Sequence, residues 1–334
     1  MNKTLVIFPL SFIALLGLSG CELEAKTTES KDVLWTIQQT ASQDFSRAAS
    51  ALVGSTTSFC QNKASLSETQ QAWLNAMKAW APLQGANVGN EQATALSWQI
   101  QFYPDKKNTT GRQMAKLLQQ GGEYSSDSIG KESVAVQGLG AMEWLLFDPS
   151  NQGKVETHCA LMKAVAQRIE SSAQDLSRSW STNPWQDVEA KQKDTDALRL
   201  LAAQLDATMK AIELPMGKPG YPKPYQAQSW RSQQSLTVLR ENIVHLQSLY
   251  QQTLEPALEA HKQAELAKRL SAHWVTAIDS IPSGTGLKSL LESKEGYRSM
   301  ITLLNNLEYI KLALHDEAGP ALGMIVGFNS TDGD

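Results

Sequence analysis

The sequence predicts an all-α protein, and three observations carry that prediction. Apolar residues recur at three- and four-residue spacing along most of the chain, the signature of helices that bury one face. No two alternating segments joined by a hairpin turn can be found. The breaks between periodic stretches are built from Pro, Gly and Asn, as expected of connections between helices. With 334 residues and 42% hydrophobic content, the chain can bury a large core, which excludes disordered, collagen-like and small disulfide-scaffold classes. Its net charge of −4 and lack of a basic stripe exclude nucleic acid as the expected partner.

The chain starts with Lys3, an apolar run from Leu5 to Leu18, and then Leu18-Ser19-Gly20-Cys21. That run is shorter than the roughly 20 residues a spanning helix needs, so residues 1–20 read as a signal peptide. Small residues before a cysteine resemble a bacterial lipobox, which makes Cys21 the expected lipidation site and the membrane a partner through it. Glu22, where an inner-membrane retention signal has Asp, points to the periplasmic face of the outer membrane. Residues 21–32 are polar and read as a tether.

Helical spacing begins at Val33 and runs to about Ser55. Ser65 and Glu68 form a capping box ahead of Trp73, Met77 and Trp80, which share one face. Further helices are expected over Gln92 to Phe102, Arg112 to Gln120, Val134 to Phe147, Val155 to Trp180, Lys191 to Glu213, Ser232 to Thr253, Pro256 to Ile281 and Lys294 to His315. The longest break, Pro215 to Pro224, holds four prolines and reads as a crossover or a functional loop. A weaker break near Ser181 to Asp187 divides the chain into two expected helical-bundle domains, 33–183 and 184–334. With Cys21 lipidated, Cys60 and Cys159 are the remaining cysteines, and an oxidising envelope predicts a disulfide between them.

Val134 to Phe147 is apolar on nearly every face, yet Glu143 sits in its middle. A carboxylate there needs a cation, a metal or hydrogen bonds, or else its pKa rises. Gly138 and Gly140 would let a backbone or a ligand come close. Arg231 can clamp a carboxylate with its planar fork of donors, so Glu143, Asp105 or an anionic ligand are its expected partners. Asn329, Asp332 and Asp334 offer hard oxygen donors near the end of the sequence, which would suit calcium or iron as well as a helix-ending turn. Two His/Glu pairs at helical spacing, Glu241 with His245 and His261 with Glu265, could each supply half a metal site or lie on solvated helix faces. Trp73, Trp80, Trp98 and Trp144 read as core in preference to a surface for stacking on haem.

The window around Gly138 and Glu143 resembles the Gly-x-His-x-x-Glu segment of the imelysin-like family, with Gly140 where that family has histidine. Ile100 to Asn108 is similar to the family's aromatic-Pro-Asp-Lys turn, Trp230-Arg231-Ser232 to its Trp-Arg-Ser segment, and Gly327 to Asp334 to its Gly-Phe-Asn-x-x-Asp-Gly-Asp ending. The resemblance implies two helical bundles with a cleft between them, in a bacterial envelope protein associated with iron uptake and once classed as a peptidase. It places Glu143, Asp105, Trp230, Arg231 and Ser232 at a ligand site, with iron as the possible cofactor or cargo and an iron-uptake component as a possible partner.

Three functions follow: binding of iron or an iron-containing ligand, a non-catalytic adaptor for another envelope protein, and a metallopeptidase. The last is disfavoured because the sequence has no His-Glu-x-x-His segment and no Gly-x-Ser-x-Gly nucleophile turn.

Overall fold

A computed structural model describes residues 32–324. Cys21, Asn329, Asp332 and Asp334 lie outside those residues. Fourteen α-helices and no strand are found among the described residues: α1 Val33–Cys60, α2 Leu66–Trp80, α3 Glu91–Ile100, α4 Thr109–Gln120, α5 Ser126–Gly130, α6 Leu139–Phe147, α7 Cys159–Ser179, α8 Ala190–Met216, α9 Ser235–Gln252, α10 Leu254–Ala260, α11 Ala264–Asp279, α12 Leu287–Leu291, α13 Lys294–Ala313 and α14 Gly319–Ala321. The chain is all-α, as the periodicity predicts.

Residues up to 180 build around α1. Its buried stripe of Leu34, Ala41, Phe45, Ala49, Leu52 and Phe59 lies against α7 and α2. α7 answers with Leu161, Val165, Ile169, Ala173 and Leu176 at the same spacing. The Cys60–Cys159 disulfide forms, with Cα atoms 5.6 Å apart, and ties the end of α1 to the start of α7. Ser65 and Glu68 make the expected capping box on α2. Trp73 is fully buried and donates from Nε1 to the Leu139 carbonyl at 2.9 Å, fixing α2 to the start of α6.

After Trp185, which stacks on Trp180, α8, α9, α11 and α13 pack on one another over buried Leu201, Leu205, Leu246, Leu270, Trp274 and Leu307. The two groups of helices meet where α9 packs on α2 and on the 3-10 turn Ala81–Leu83. Gln204 donates to the Pro82 carbonyl at 2.7 Å. A buried amide cluster completes the junction. Gln101 Oε1 accepts from Trp80 Nε1, Gln84 and Gln228, while Gln84 Oε1 accepts from Gln228 and Asn242.

The structure corrects several expected boundaries. The helix expected over Val134 to Phe147 is a 3-10 turn, Val134–Val136, followed by α6. Gly138 is the reason: its bare Cα lets the Gln99 and Ile100 carbonyls approach so closely that a side chain could not fit. The helix expected over Pro256 to Ile281 is two, α10 and α11, divided where Lys262 adopts a left-handed φ of 62°. His261 and Glu265 therefore do not share one continuous helix face. α8 carries Pro215 within its last turn and stops at Gly217. Trp98, expected in the core, is 50% exposed and meets the Phe102 ring.

Candidate functional site

Three separate stretches converge on Glu143. α6 supplies Gly140 and Glu143, the turn from Gln101 to Asp105 supplies Phe102, Tyr103 and Asp105, and the segment before α9 supplies Tyr225 to Arg231. Together they line a partly open cavity of about 40 Å³. Larger depressions, such as one of about 510 Å³ beside His245, lie open to solvent.

Glu143 is 4% exposed. Its Oε1 accepts from the Ser232 backbone N–H and from the Ser232 hydroxyl, both at 2.9 Å. Burial pushes its pKa up; the two bonds from Ser232 and the nearby Arg231 charge oppose that shift without reversing it. The neutral carboxyl is thus favoured over a wider pH range than for a glutamate in water.

Arg231 pairs with neither Glu143 nor Asp105. Its Nε donates to Asp148 Oδ2 at 2.8 Å and its Nη2 donates to Asn108 Oδ1 at 2.6 Å, while the guanidinium lies 4.4 Å from the Trp230 ring centroid. The acid chosen is Asp148, just beyond α6, which also accepts from Ser150 N and Oγ. Burial raises its pKa, but the bonds from Ser150 and Arg231 outweigh that and hold it below the usual carboxylate range. Asp105 is committed elsewhere: it accepts from the Thr109 and Thr110 amides at 2.6 and 2.9 Å and so caps α4. Tyr103 donates to the Gln226 carbonyl at 3.2 Å, and burial raises its pKa.

The expected residues Asp105, Glu143, Trp230, Arg231 and Ser232 are therefore brought to one place, though not in the pairings expected. The sequence reading missed Asn108, Asp148, Gln101 and Ser229. Nothing in a linear pattern marks Asp148, or Ser229, whose hydroxyl is buried without a partner. Of the two His/Glu pairs, Glu241 is bound to Lys78 at 2.7 Å, and burial lowers the pKa of His245 to about 4. No group of three or more His, Cys, Asp or Glu able to hold a metal occurs among the described residues.

A helical junction protein with a buried carboxyl at its seam is the class these features define. The imelysin family model matches residues 37–314, and the chain belongs to that family. Among solved structures it is similar to an imelysin-like protein from Psychrobacter arcticum 273-4, with a TM-score of 0.71 and 18% identity over 89% of this chain and 96% of that one. It is also similar to an iron-regulated protein A precursor from Parabacteroides distasonis ATCC 8503, with a TM-score of 0.56 and 16% identity over 84% of this chain and 93% of that one. At these identities the likeness is one of fold. No curated protein matches the chain.

Proposed function

We propose that this protein is a lipid-anchored binding protein of the cell envelope that serves iron uptake by holding an iron-containing ligand in a cleft between its two helical halves. The observation that carries the reading is the convergence of three distant segments on the Glu143 cavity, with Arg231 on its wall and Ser232 holding the Glu143 carboxyl. Family membership and the name of the Parabacteroides neighbour support the link to iron. The lipobox-like segment ending in Cys21 supports the anchor and the outer-membrane address.

Bare iron does not fit the residues at this cavity. One Glu143 oxygen is taken by Ser232, the Asp105 carboxylate caps a helix, and the Asp148 carboxylate is bound to Arg231. A ferric or ferrous ion needs several free oxygen or nitrogen donors, and a guanidinium beside it is unfavourable. Iron would arrive with donors of its own, as a chelate. The same donor set gives no support to a peptidase, which needs a general base beside an activated nucleophile or water.

The test is elemental analysis of the protein isolated from envelopes of iron-replete cells, beside membrane fractionation of a Cys21→Ser variant. Stoichiometric iron that washes out with excess chelate, and release of the variant from the membrane, are the expected results. Chelator-sensitive cleavage of an unfolded protein substrate would overturn the binding reading in favour of catalysis. An adaptor role has one observation of its own: Trp98, Tyr221 and Tyr225 are 50%, 78% and 47% exposed, aromatic surface of the kind protein partners use.

A further inference from the structure

We propose that the cavity over Gly140 receives a carboxylate group of a small organic acid, held by donors of this chain rather than by a metal ion. The proposal rests on the reading of the Glu143 cavity as a binding site, and it names the chemistry that site accepts.

The space is real at one particular residue. A Cβ placed on Gly140 would meet nothing within 4 Å, although Gly140 stands between fully buried Leu139 and buried Ala141. Gly140 lies in the first turn of α6; the Ala141 and Met142 amides bond to the Gly138 carbonyl, which leaves those of Leu139 and Gly140 without a partner within the helix. The N-cap is Gly138, which has no side chain to accept from them. A nine-residue helix thus opens onto the cavity with its positive end uncapped, an arrangement that favours an anion.

Further donors converge there. Arg231 lines the cavity with a side chain only 5% exposed, and two of its three nitrogens are committed to Asp148 and Asn108. The third, Nη1, has no acceptor among the described residues. Ser229 lines the same cavity, is 5% exposed, and carries a buried hydroxyl with no hydrogen-bond partner. An orphaned buried hydroxyl is costly unless something completes it. Glu143 accepts from Ser232 and lies beside the Arg231 backbone N–H; burial favours its protonated form, which carries an O–H and no charge to repel an anion.

Size and surroundings narrow the ligand. About 40 Å³ exceeds the roughly 10–15 Å³ that one water needs but is far too small for a whole organic acid, so a carboxylate head enters and the body of the acid stays outside. Phe102, Tyr225 and Trp230 line the cavity beside that head. Lys106 and Lys107 are exposed on the turn that follows Asp105, giving an otherwise acidic protein a locally basic approach.

The experiment is calorimetric titration of the purified chain with metal-free citrate, ferric citrate and ferrous ion alone, using wild type, Gly140→Leu and Ser229→Ala. Metal-free citrate is expected to bind saturably to wild type. Gly140→Leu should weaken it at least ten-fold, because its Cβ enters the cavity unobstructed and the rest of the side chain overfills the roughly 40 Å³. Ser229→Ala should weaken it about five-fold, the worth of one hydrogen bond, while leaving the midpoint unchanged or higher. A merely structural hydroxyl would lower the midpoint and leave citrate affinity alone. If Gly140→Leu does not fold, Ser229→Ala decides. Absence of citrate binding in wild type overturns the proposal, as does citrate binding indifferent to both variants. Ferrous ion binding without citrate binding also overturns it, and leaves the iron reading in place. Citrate binding without ferric citrate binding upholds it, and the iron reading alone fails.

Discussion

Gly138 and Gly140 are two residues apart in one apolar segment, and replacing each by alanine should move stability in opposite directions. At Gly138 the new Cβ would stand 2.5 Å from the Gln99 carbonyl oxygen and 2.6 Å from the Ile100 carbonyl carbon. These are backbone atoms, so relief requires shifting the segment that carries Gln101 and the cavity wall. Overpacking of this kind costs about 1–3 kcal/mol, and rigid neighbours put Gly138→Ala at about 3. At Gly140 the new Cβ meets nothing within 4 Å and the residue is helical, so alanine gains helix propensity. The full Gly-to-Ala difference is about 1 kcal/mol, and a first-turn position should realise about half of it. Urea unfolding followed by circular dichroism, with the disulfide oxidised, should therefore separate the two variants by about 3.5 kcal/mol, with wild type between them nearer to Gly140→Ala. A Gly138→Ala midpoint equal to that of wild type would refute the close approach as the reason the helix breaks there. A destabilised Gly140→Ala would refute the open space.

Three other outcomes are expected. His245 is held neutral by burial, its pKa lowered from 6.5 to about 4, so the folded state loses stability as pH falls from about 6.5 and the loss levels off below about 4. At roughly 1.4 kcal/mol per pH unit that amounts to about 3 kcal/mol, and His245→Leu should flatten the acid limb of a pH–stability profile. Glu143 acts on the other limb: its raised pKa contributes stability below 4.5 that is lost as pH rises through the folded value. Reducing Cys60–Cys159, which closes a sequence separation of 99 residues, should cost about 4 kcal/mol, read as a lower thermal midpoint in reductant. Arg231→Lys should not rescue Arg231→Met, because one ammonium cannot span Asp148, Asn108 and the Trp230 face; both variants should lose about 2–3 kcal/mol in the same urea assay.

The fold was largely legible because helices announce themselves locally. The Trp73, Met77 and Trp80 stripe and the Ser65–Glu68 box are contained within fifteen or so residues, and both stand where the pattern places them. Where the sequence misled, a tertiary contact had overruled local propensity. Val134 to Phe147 is apolar enough for one helix, but the carbonyls of residues 99 and 100 press on Gly138 and break it. Lys262 breaks the Pro256 to Ile281 stretch with a left-handed turn that no Gly or Asn advertises. The site was legible only in its membership. Burial of Glu143 could be foreseen because its neighbours in sequence are apolar. Its partner Ser232 lies 89 positions away, and Arg231 is 83 positions from Asp148, so periodicity could not choose among the available acids.

That choice decides what the cavity can hold. Had Arg231 paired with Glu143, the carboxylate would be ionised and the site a neutral ion pair with few free donors. Because Asp148 takes the guanidinium instead, Glu143 is left with hydrogen bonds but no direct counter-ion, and burial then tips it toward the neutral form. A cavity walled by a carboxyl whose pKa burial raises, an orphan hydroxyl, an uncapped helix start and part of a guanidinium, with the Asp105 carboxylate committed to the Thr109 and Thr110 amides, is rich in donors and short of free acceptors. Cations and metal ions need the reverse. Gly140 keeps the space clear, so whatever completes these donors has to bring its own oxygens.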